Sequence, residues 1–288
     1  SFPHNTYMSL DKAFKEKWPG AKSMTFTVDK RTVWNVGIVA QDFGYDILLD
    51  KPNFLLDVPT GPRGRLGDDS FLRQSAEKIA SDELWPDGGH TLLQCVTYSG
   101  HTPFVIPDEL KQVEFDERYP ERIRNYMTVA NYTDRAIGEF LALLKKNPKF
   151  DNTMIVITGD HEGVGVDRAK FMTDEATARF LSPDQFVPFI VVNSPVTMRY
   201  EGVMGQIDLY PTLLDLMGLS GYGWRGLGQS ILDPSKEPYA VSPRMEVSGV
   251  QPSSAAALEH SRSAYAISDM MICSDWFADY DNLNRLSP

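Results

Sequence analysis

Asn152-Thr153-Met154-Ile155-Val156-Ile157-Thr158-Gly159-Asp160-His161 is the stretch on which the reading of the fold turns. The continuous apolar run from Met154 to Ile157 is the pattern of a buried strand. Gly159 then allows the backbone to turn, and a carboxylate and an imidazole leave the strand end together. In open α/β sheets, ligand chemistry collects beyond the carboxyl ends of strands. Adjacent Asp and His side chains on a turning backbone offer one cation a hard oxygen and a borderline nitrogen. The plainer alternative is an Asp that opens the next loop or helix, with a His that follows by chance. The surrounding sequence weighs toward the cation.

Outward from this stretch, the pattern alternates strands and helices. Helices are expected over residues 9–18, 34–43, 69–80, 120–146 and 208–217, and strands over 23–28, 46–49, 90–98, 152–158 and 186–193. Gly44 and Gly218 stand where helix ends need them. Pro59-Thr60-Gly61-Pro62-Arg63-Gly64 reads as a loop. The strongest periodicity lies in 120–146, where Ile123, Tyr126, Met127, Ala130, Ile137, Phe140, Leu141 and Leu144 form one apolar stripe. After Pro243 the pattern weakens, and 265–268 with 270–273 read as two short strands. The fold class that follows is α/β: a largely parallel, mixed sheet with helices on both faces. The whole of 1–288 reads as one domain, with about 240–288 as a small C-terminal antiparallel subdomain.

Composition excludes several classes. A net charge of -11 argues against nucleic acid, whose phosphates call for clustered cations. Arg122 with Arg124 and Lys145 with Lys146 read only as isolated pairs on solvated helix faces. Two cysteines, Cys95 and Cys273, leave the redox compartment open. No apolar run reaches the roughly 20 residues that span a bilayer. Ser1-Phe2-Pro3-His4 carries neither a signal peptide nor an initiator Met, and reads as the edge of an excised or processed segment.

A second candidate follows another apolar strand: His101, in Tyr98-Ser99-Gly100-His101-Thr102-Pro103-Phe104. Two strand ends that each present a His can face a common cleft. There an imidazole can bind a tetrahedral oxyanion or protonate a leaving oxygen. The alternative is a loop histidine bonded to backbone. Asp208, before an apolar helix with Pro211 in its first turn, reads as a structural cap rather than a ligand. His90 reads as loop. His260 would matter only to a second metal. Neither cysteine is followed by the Pro and Arg of a Cys-x-Pro-x-Arg sulfatase motif.

Taken together, Asn131 to Phe140, Asp151-Asn152-Thr153 through His161, Val187-Pro188-Phe189, Gln206-Ile207-Asp208 and Pro211-Thr212 resemble the sulfatase-like phosphoglycerol transferases. That family includes lipoteichoic acid synthase and belongs to the alkaline phosphatase superfamily. The likeness runs from about residue 20 to residue 230. It implies an alkaline phosphatase-like fold and one divalent cation, commonly manganese, with magnesium, calcium or zinc as alternatives. Asp160 and His161 match the family's metal-binding pair. His101 matches the histidine that contacts the substrate phosphate, and Trp34 an aromatic lining the headgroup pocket. The implied substrate is a phosphate or sulfate ester of a lipid headgroup or glycan. The implied setting is extracytoplasmic, on a membrane anchor contributed by segments outside this chain. The family's nucleophilic Thr and a metal-binding Glu have no counterpart here. Val36 stands where the pattern has Arg, and Thr27 where it has His. Glu162, beside the metal pair, reads as facing water. The chain by itself is therefore expected to hold metal weakly and not to turn over. A non-catalytic lipid- or glycan-binding relative using the same cleft is the alternative.

Overall fold

The structure, a computed structural model, describes residues 4–61, 63–179, 181, 182, 184–224 and 226–279. Ser1, taken above as a boundary, lies outside them. The elements are α1 (Leu10–Lys17), β1 (Lys22–Thr27), α2 (Val36–Phe43), β2 (Ile47–Leu49), β3 (Pro59–Thr60), β4 (Arg65–Leu66), α3 (Asp68–Ile79), β5 (Thr91–Val96) and α4 (Glu121–Leu144). They continue with β6 (Ile155–Thr158), α5 (Arg168–Met172), β7 (Phe189–Val192), α6 (Leu209–Leu216), β8 (Tyr239–Val241), β9 (Val247–Gly249) and α7 (Ala255–Cys273). The fold is mixed α/β, as expected. The chain divides into two compact units: Met24–Trp34 with Ile47–Asn193 forms one, and the remaining segments form the other.

The first unit is built around β1. Its order is β2-β1-β5, and β1 runs parallel to β2 with Met24, Thr25 and Phe26 opposite Ile47, Leu48 and Leu49. Side chains alternate across a strand, so Met24 and Phe26 share a face, and both are fully buried. Phe71, Leu72, Ala76 and Ile79 of α3 recur at helical spacing and close on that face, joined by Ala136 and Leu144 of α4. Phe54 bridges the layers, 6.0 Å from the Phe26 ring and 5.0 Å from Phe71. Each such side chain contributes about 1.5–3 kcal/mol by leaving water.

Several expectations change in detail. The stripe of α4 centres on Val129, Tyr132 and Ala136, while Ala130 is exposed. Tyr132, the largest fully buried side chain among the described residues, can be buried because its hydroxyl donates to Asp69 Oδ1 at 2.6 Å. Pro59 to Gly64 is not simple loop, since β3 and β4 pair antiparallel across it. The run read as a buried strand, β6, is half-buried with Thr158 exposed. It pairs antiparallel with β7 from Ile155↔Val192 to Thr158↔Phe189, its one hydrogen-bonded neighbour among the described strands.

In the second unit, α1 and α6 meet, and Tyr210 Oη donates to the Ser9 carbonyl at 3.2 Å. α2 ends on Gly44, φ 99°, as expected, but starts at Val36 rather than Trp34. Trp34 (φ 54°) and Asn35 (φ 57°) are left-handed and cannot continue a helix. The two strands expected over 265–268 and 270–273 are instead the last part of α7. Ser254 caps that helix by accepting the Ala257 N–H at 3.1 Å. A four-residue window cannot distinguish strand from helix, and the cap lies eleven residues upstream of it (265 − 254). An antiparallel pair does lie in this region, but it is β8 with β9, Val241 opposite Val247, upstream of the strands that were expected to form it. Among the described residues no helix is long and apolar enough to cross a membrane.

Candidate functional site

All four expected site residues lie in the first unit, and its topology brings three of them together. His101 leaves the loop after β5 and His161 the loop after β6, from separate sheets. Their rings meet edge to face, with centroids 6.3 Å apart and planes at 86°. Asp160 Oδ2 lies 3.9 Å from His161 Nε2. Trp34 stands in the loop after β1, 86% exposed.

The tautomers follow from the acceptors. A carbonyl oxygen can only accept, so His161 Nδ1–H donates to the Glu162 carbonyl at 2.8 Å and His101 Nδ1–H to that of Thr102 at 2.9 Å. Both Nε2 atoms are thereby left with their lone pairs for chemistry. A backbone carbonyl on the far nitrogen is the arrangement that orients a metal-ligating histidine. Asp160 Oδ1 accepts the His161 N–H at 2.9 Å, which turns the carboxylate toward the imidazole.

A column of groups absent from the sequence reading fixes His101. Tyr98 stacks on it, centroids 5.0 Å apart and planes within 6°. The Arg65 guanidinium lies 3.7 Å from the Tyr98 ring centroid, and Arg65 Nε donates to Asp29 Oδ1 at 2.6 Å. The phenol ring thus meets both a cation and the imidazole, and its stacking holds the imidazole plane. Below the loop, Asp68 accepts the N–H groups of Tyr98 and Ser99 and the hydroxyl of Thr133. In return, Ser99 Oγ accepts the Asp68 N–H. Asp68 is fully buried.

Arg122 also belongs here, contrary to its reading as part of a solvated helix face. Its terminal nitrogen is 3.4 Å from Thr102 Oγ1, and its Nε is 2.8 Å from Asp167 Oδ2. Its position in the first turn of α4 gave no sign of this, because the loop it meets is distant in sequence.

Glu162 is a correction of another kind. It faces inward, 8% exposed, accepting the N–H groups of Val164 (2.9 Å) and Gly165 (2.6 Å) and pairing with Arg168 at 2.7 Å. The carboxylate closes the turn that follows the Asp-His pair, and it is therefore not free to face water. Gly163 is required in that turn, since a Cβ there would meet the Tyr126 ring at 2.3 Å. Gly159 has no positive φ, and what its missing side chain provides is room for Val187, 3.2 Å from the position of a Cβ. Asp208 is structural as expected, but not through its own helix. It accepts the Gly205 N–H at 2.9 Å and the Gln229 N–H at 2.8 Å.

Asp160 and His161 suit a divalent cation in kind and orientation. Their donor atoms are somewhat wider apart than the roughly 3–3.5 Å of two ligands on one ion. Among the described residues, no group of three or more His, Cys, Asp or Glu side chains could hold a metal. A cavity of about 220 Å³ in the second unit, lined by Leu214, Trp224, Gln229 and Asp233, contains none of the expected residues. Its amide and carboxylate hydrogen-bond each other at 2.9 Å.

Comparison with known proteins identifies the family. The sulfatase family model matches residues 12–219. A lipoteichoic acid synthase-like protein of Bacillus subtilis is 28% identical over 83% of this chain and 38% of its own length. A lipoteichoic acid synthase of Staphylococcus saprophyticus is 27% identical over 79% of this chain and 35% of its own. The chain therefore spans between a third and two fifths of the curated relatives it matches. The crystal structure of a lipoteichoic acid synthase from Listeria monocytogenes superposes with a TM-score of 0.76 at 18% identity, covering 94% of this chain and 74% of that one. At that identity, the likeness is one of fold.

Proposed function

The chain belongs to the sulfatase family, and from that premise we propose that it is the larger part of a metal-dependent phosphoester transferase or hydrolase domain. The observation that carries this reading is the meeting of His101 and His161 at 6.3 Å, with Asp160 beside them. In this reading the 288 residues form one sulfatase-like domain. Asp160 and His161 hold the cation, manganese by the family resemblance. When bound, the cation polarises the ester and favours the ionised form of the attacking hydroxyl. His101 presents Nε2 to the phosphoryl group. As a neutral imidazole it accepts a proton there, and protonated it donates one to the departing oxygen. The Tyr98 stack and the Thr102 carbonyl hold that nitrogen in place. Trp34 borders the headgroup.

The family resemblance, with relatives named as lipoteichoic acid synthases, supports a phosphate-ester substrate, a lipid headgroup or glycan, in an extracytoplasmic setting. The nucleophile, the remaining ligands and the membrane anchor would come from outside these residues, so the chain alone would bind metal weakly and not turn over.

The test is hydrolysis of a phosphodiester-headgroup lipid, an aryl phosphate and an aryl sulfate by the longer protein, with and without manganese. Manganese-dependent turnover lost in Asp160→Ala and in His101→Ala supports the reading. Stoichiometric metal binding without turnover of any ester would sink it, leaving a binding protein on an enzyme's fold.

A further inference from the structure

Arg122 joins the two loops that carry the candidate histidines, and it leaves most of its donors unused. It lies in the first turn of α4, where the next residue, Ile123, is buried against Val164 and Phe171 of the segment after His161. One turn on, Tyr126 meets the ring of Phe104, in the His101 loop, edge to face at 5.3 Å. The start of α4 is thus a common floor for both loops. From that floor the Arg122 guanidinium rests against the Phe104 ring, 5.2 Å from its centroid. It reaches Thr102, the neighbour of His101, at 3.4 Å and Asp167, further along the His161 loop, at 2.8 Å.

A guanidinium has five N–H donors, and here a single one makes a directed bond, the long one to Thr102 Oγ1. Nε is buried, and its N–H finds no acceptor among the described residues, since the nearby Asp167 oxygen lies off the N–H direction. Nη2 donates to none of the described residues either. Asp167 therefore balances the charge of Arg122 without saturating its donors. The other arginines of the site are occupied. Arg65 donates to Asp29 and lies over Tyr98, and Arg168 donates to Glu162 and to the Ser182 carbonyl. Val36 supplies no charge from the position where the family pattern has Arg. A planar cation with donors to spare, one residue from His101, suits an anion that offers two oxygens side by side. A phosphodiester is such an anion, with one negative charge shared by its two unesterified oxygens.

We propose that Arg122 binds the charged oxygens of a phosphodiester, with Asp167 as the resting partner that the anion displaces. The exchange makes the subsite selective, because a neutral ester has no charge with which to replace a carboxylate. Asp167 is then a competitor for the arginine, and its removal strengthens binding. That the diester held there is the reacting ester rests on the proposed function, whereas the anion subsite itself does not.

The test is NMR of the 288-residue chain, following the arginine Nε–H signals as dimethyl phosphate or inorganic phosphate is added. The Arg122 signal is assigned by its loss in Arg122→Gln. Dimethyl phosphate should shift it. Arg122→Gln should weaken diester binding, read from the Thr102 backbone signal, about tenfold, and Arg122→Lys should weaken it less. Asp167→Asn should instead strengthen binding severalfold. If the pair served only to hold the two loops together, both substitutions would weaken binding, and that result overturns the proposal. So does an Arg122 signal that dimethyl phosphate leaves in place, or one that responds to inorganic phosphate alone, which would mark a site for the free anion. In the longer protein, KM for a phosphodiester-headgroup lipid should rise about tenfold in Arg122→Gln and fall in Asp167→Asn. A longer protein that turns over no ester would sink the proposed function and leave the NMR result to decide on Arg122.

Discussion

Asp68 Oδ1 accepts the backbone N–H of Ser99 at 2.9 Å, and Ser99 Oγ accepts the N–H of Asp68 at 3.1 Å. This reciprocal pair ties the first residue of α3 to the loop that carries His101. The loop cannot shift without exposing a buried carboxylate. Asp68→Ala leaves the N–H groups of Tyr98 and Ser99 and the Thr133 hydroxyl without their acceptor in a site closed to water. A loss of about 2–4 kcal/mol is expected from urea unfolding, with Asp68→Asn costing less. Equal stability of the alanine variant would mean that water reaches the site.

The Tyr98 stack predicts a separation of binding from chemistry. Tyr98→Leu keeps an apolar side chain beneath His101 but removes the planar face. Turnover by the longer protein should fall on the order of 10²-fold, the scale of a small misplacement at a reacting centre. Manganese affinity should not change. A Tyr98→Phe variant, which retains the stack, should recover most of the rate. If Leu and Phe behave alike, the stack has no positioning role.

Glu162 separates a turn-closing role from a ligand role. Glu162→Ala removes the acceptor of the Val164 and Gly165 N–H groups and the carboxylate of Arg168, leaving that guanidinium only the Ser182 carbonyl, so unfolding should become easier by about 3 kcal/mol. Glu162→Gln should be milder. At a temperature where the glutamine variant is folded, its manganese affinity, read by calorimetry, should match the wild type. A tenfold loss would instead make Glu162 a ligand.

Asp50 predicts an acid-dependent difference. The Arg31 hydrogen bond holds its carboxyl below the ordinary carboxylate range. The folded-state pKa is depressed, so the ionised form contributes stability above the unfolded pKa of about 3.9, and that contribution fades as pH falls through the folded value. Arg31→Gln should therefore lower stability at neutral pH, read by urea unfolding. The gap between variant and wild type should begin to narrow as pH falls to about 4 and close only below the depressed folded-state pKa. A gap independent of pH would mean that Arg31 acts through packing alone.

Much of the site was legible because it is local. Asp160 and His161 are neighbours in sequence, and the apolar run before them announces a strand end whatever that strand pairs with. His101 was visible for the same reason. Arg65, Asp68 and Arg122 were not, since each acts across some twenty residues or more of chain, and Tyr98, though only three residues from His101, gave no sign in sequence that it stacks on it. Glu162 was misread because a carboxylate beside an Asp-His pair looks the same whether it turns outward or inward. Only the positions of the Val164 and Gly165 N–H groups distinguish the two.

Sequence by itself determined the elements whose signals are short-range: the apolar strands, the glycine that ends α2, the long helix of α4, and the order of motifs that marks the family. Tertiary structure decided the partners. It set β6 antiparallel to β7, turned the last expected strands into α7, and brought two histidines from separate sheets to 6.3 Å. The physical reason is range. Backbone propensity and periodicity act over a few residues, whereas hydrogen-bond partners and ring contacts depend on which surfaces the folded core leaves facing one another.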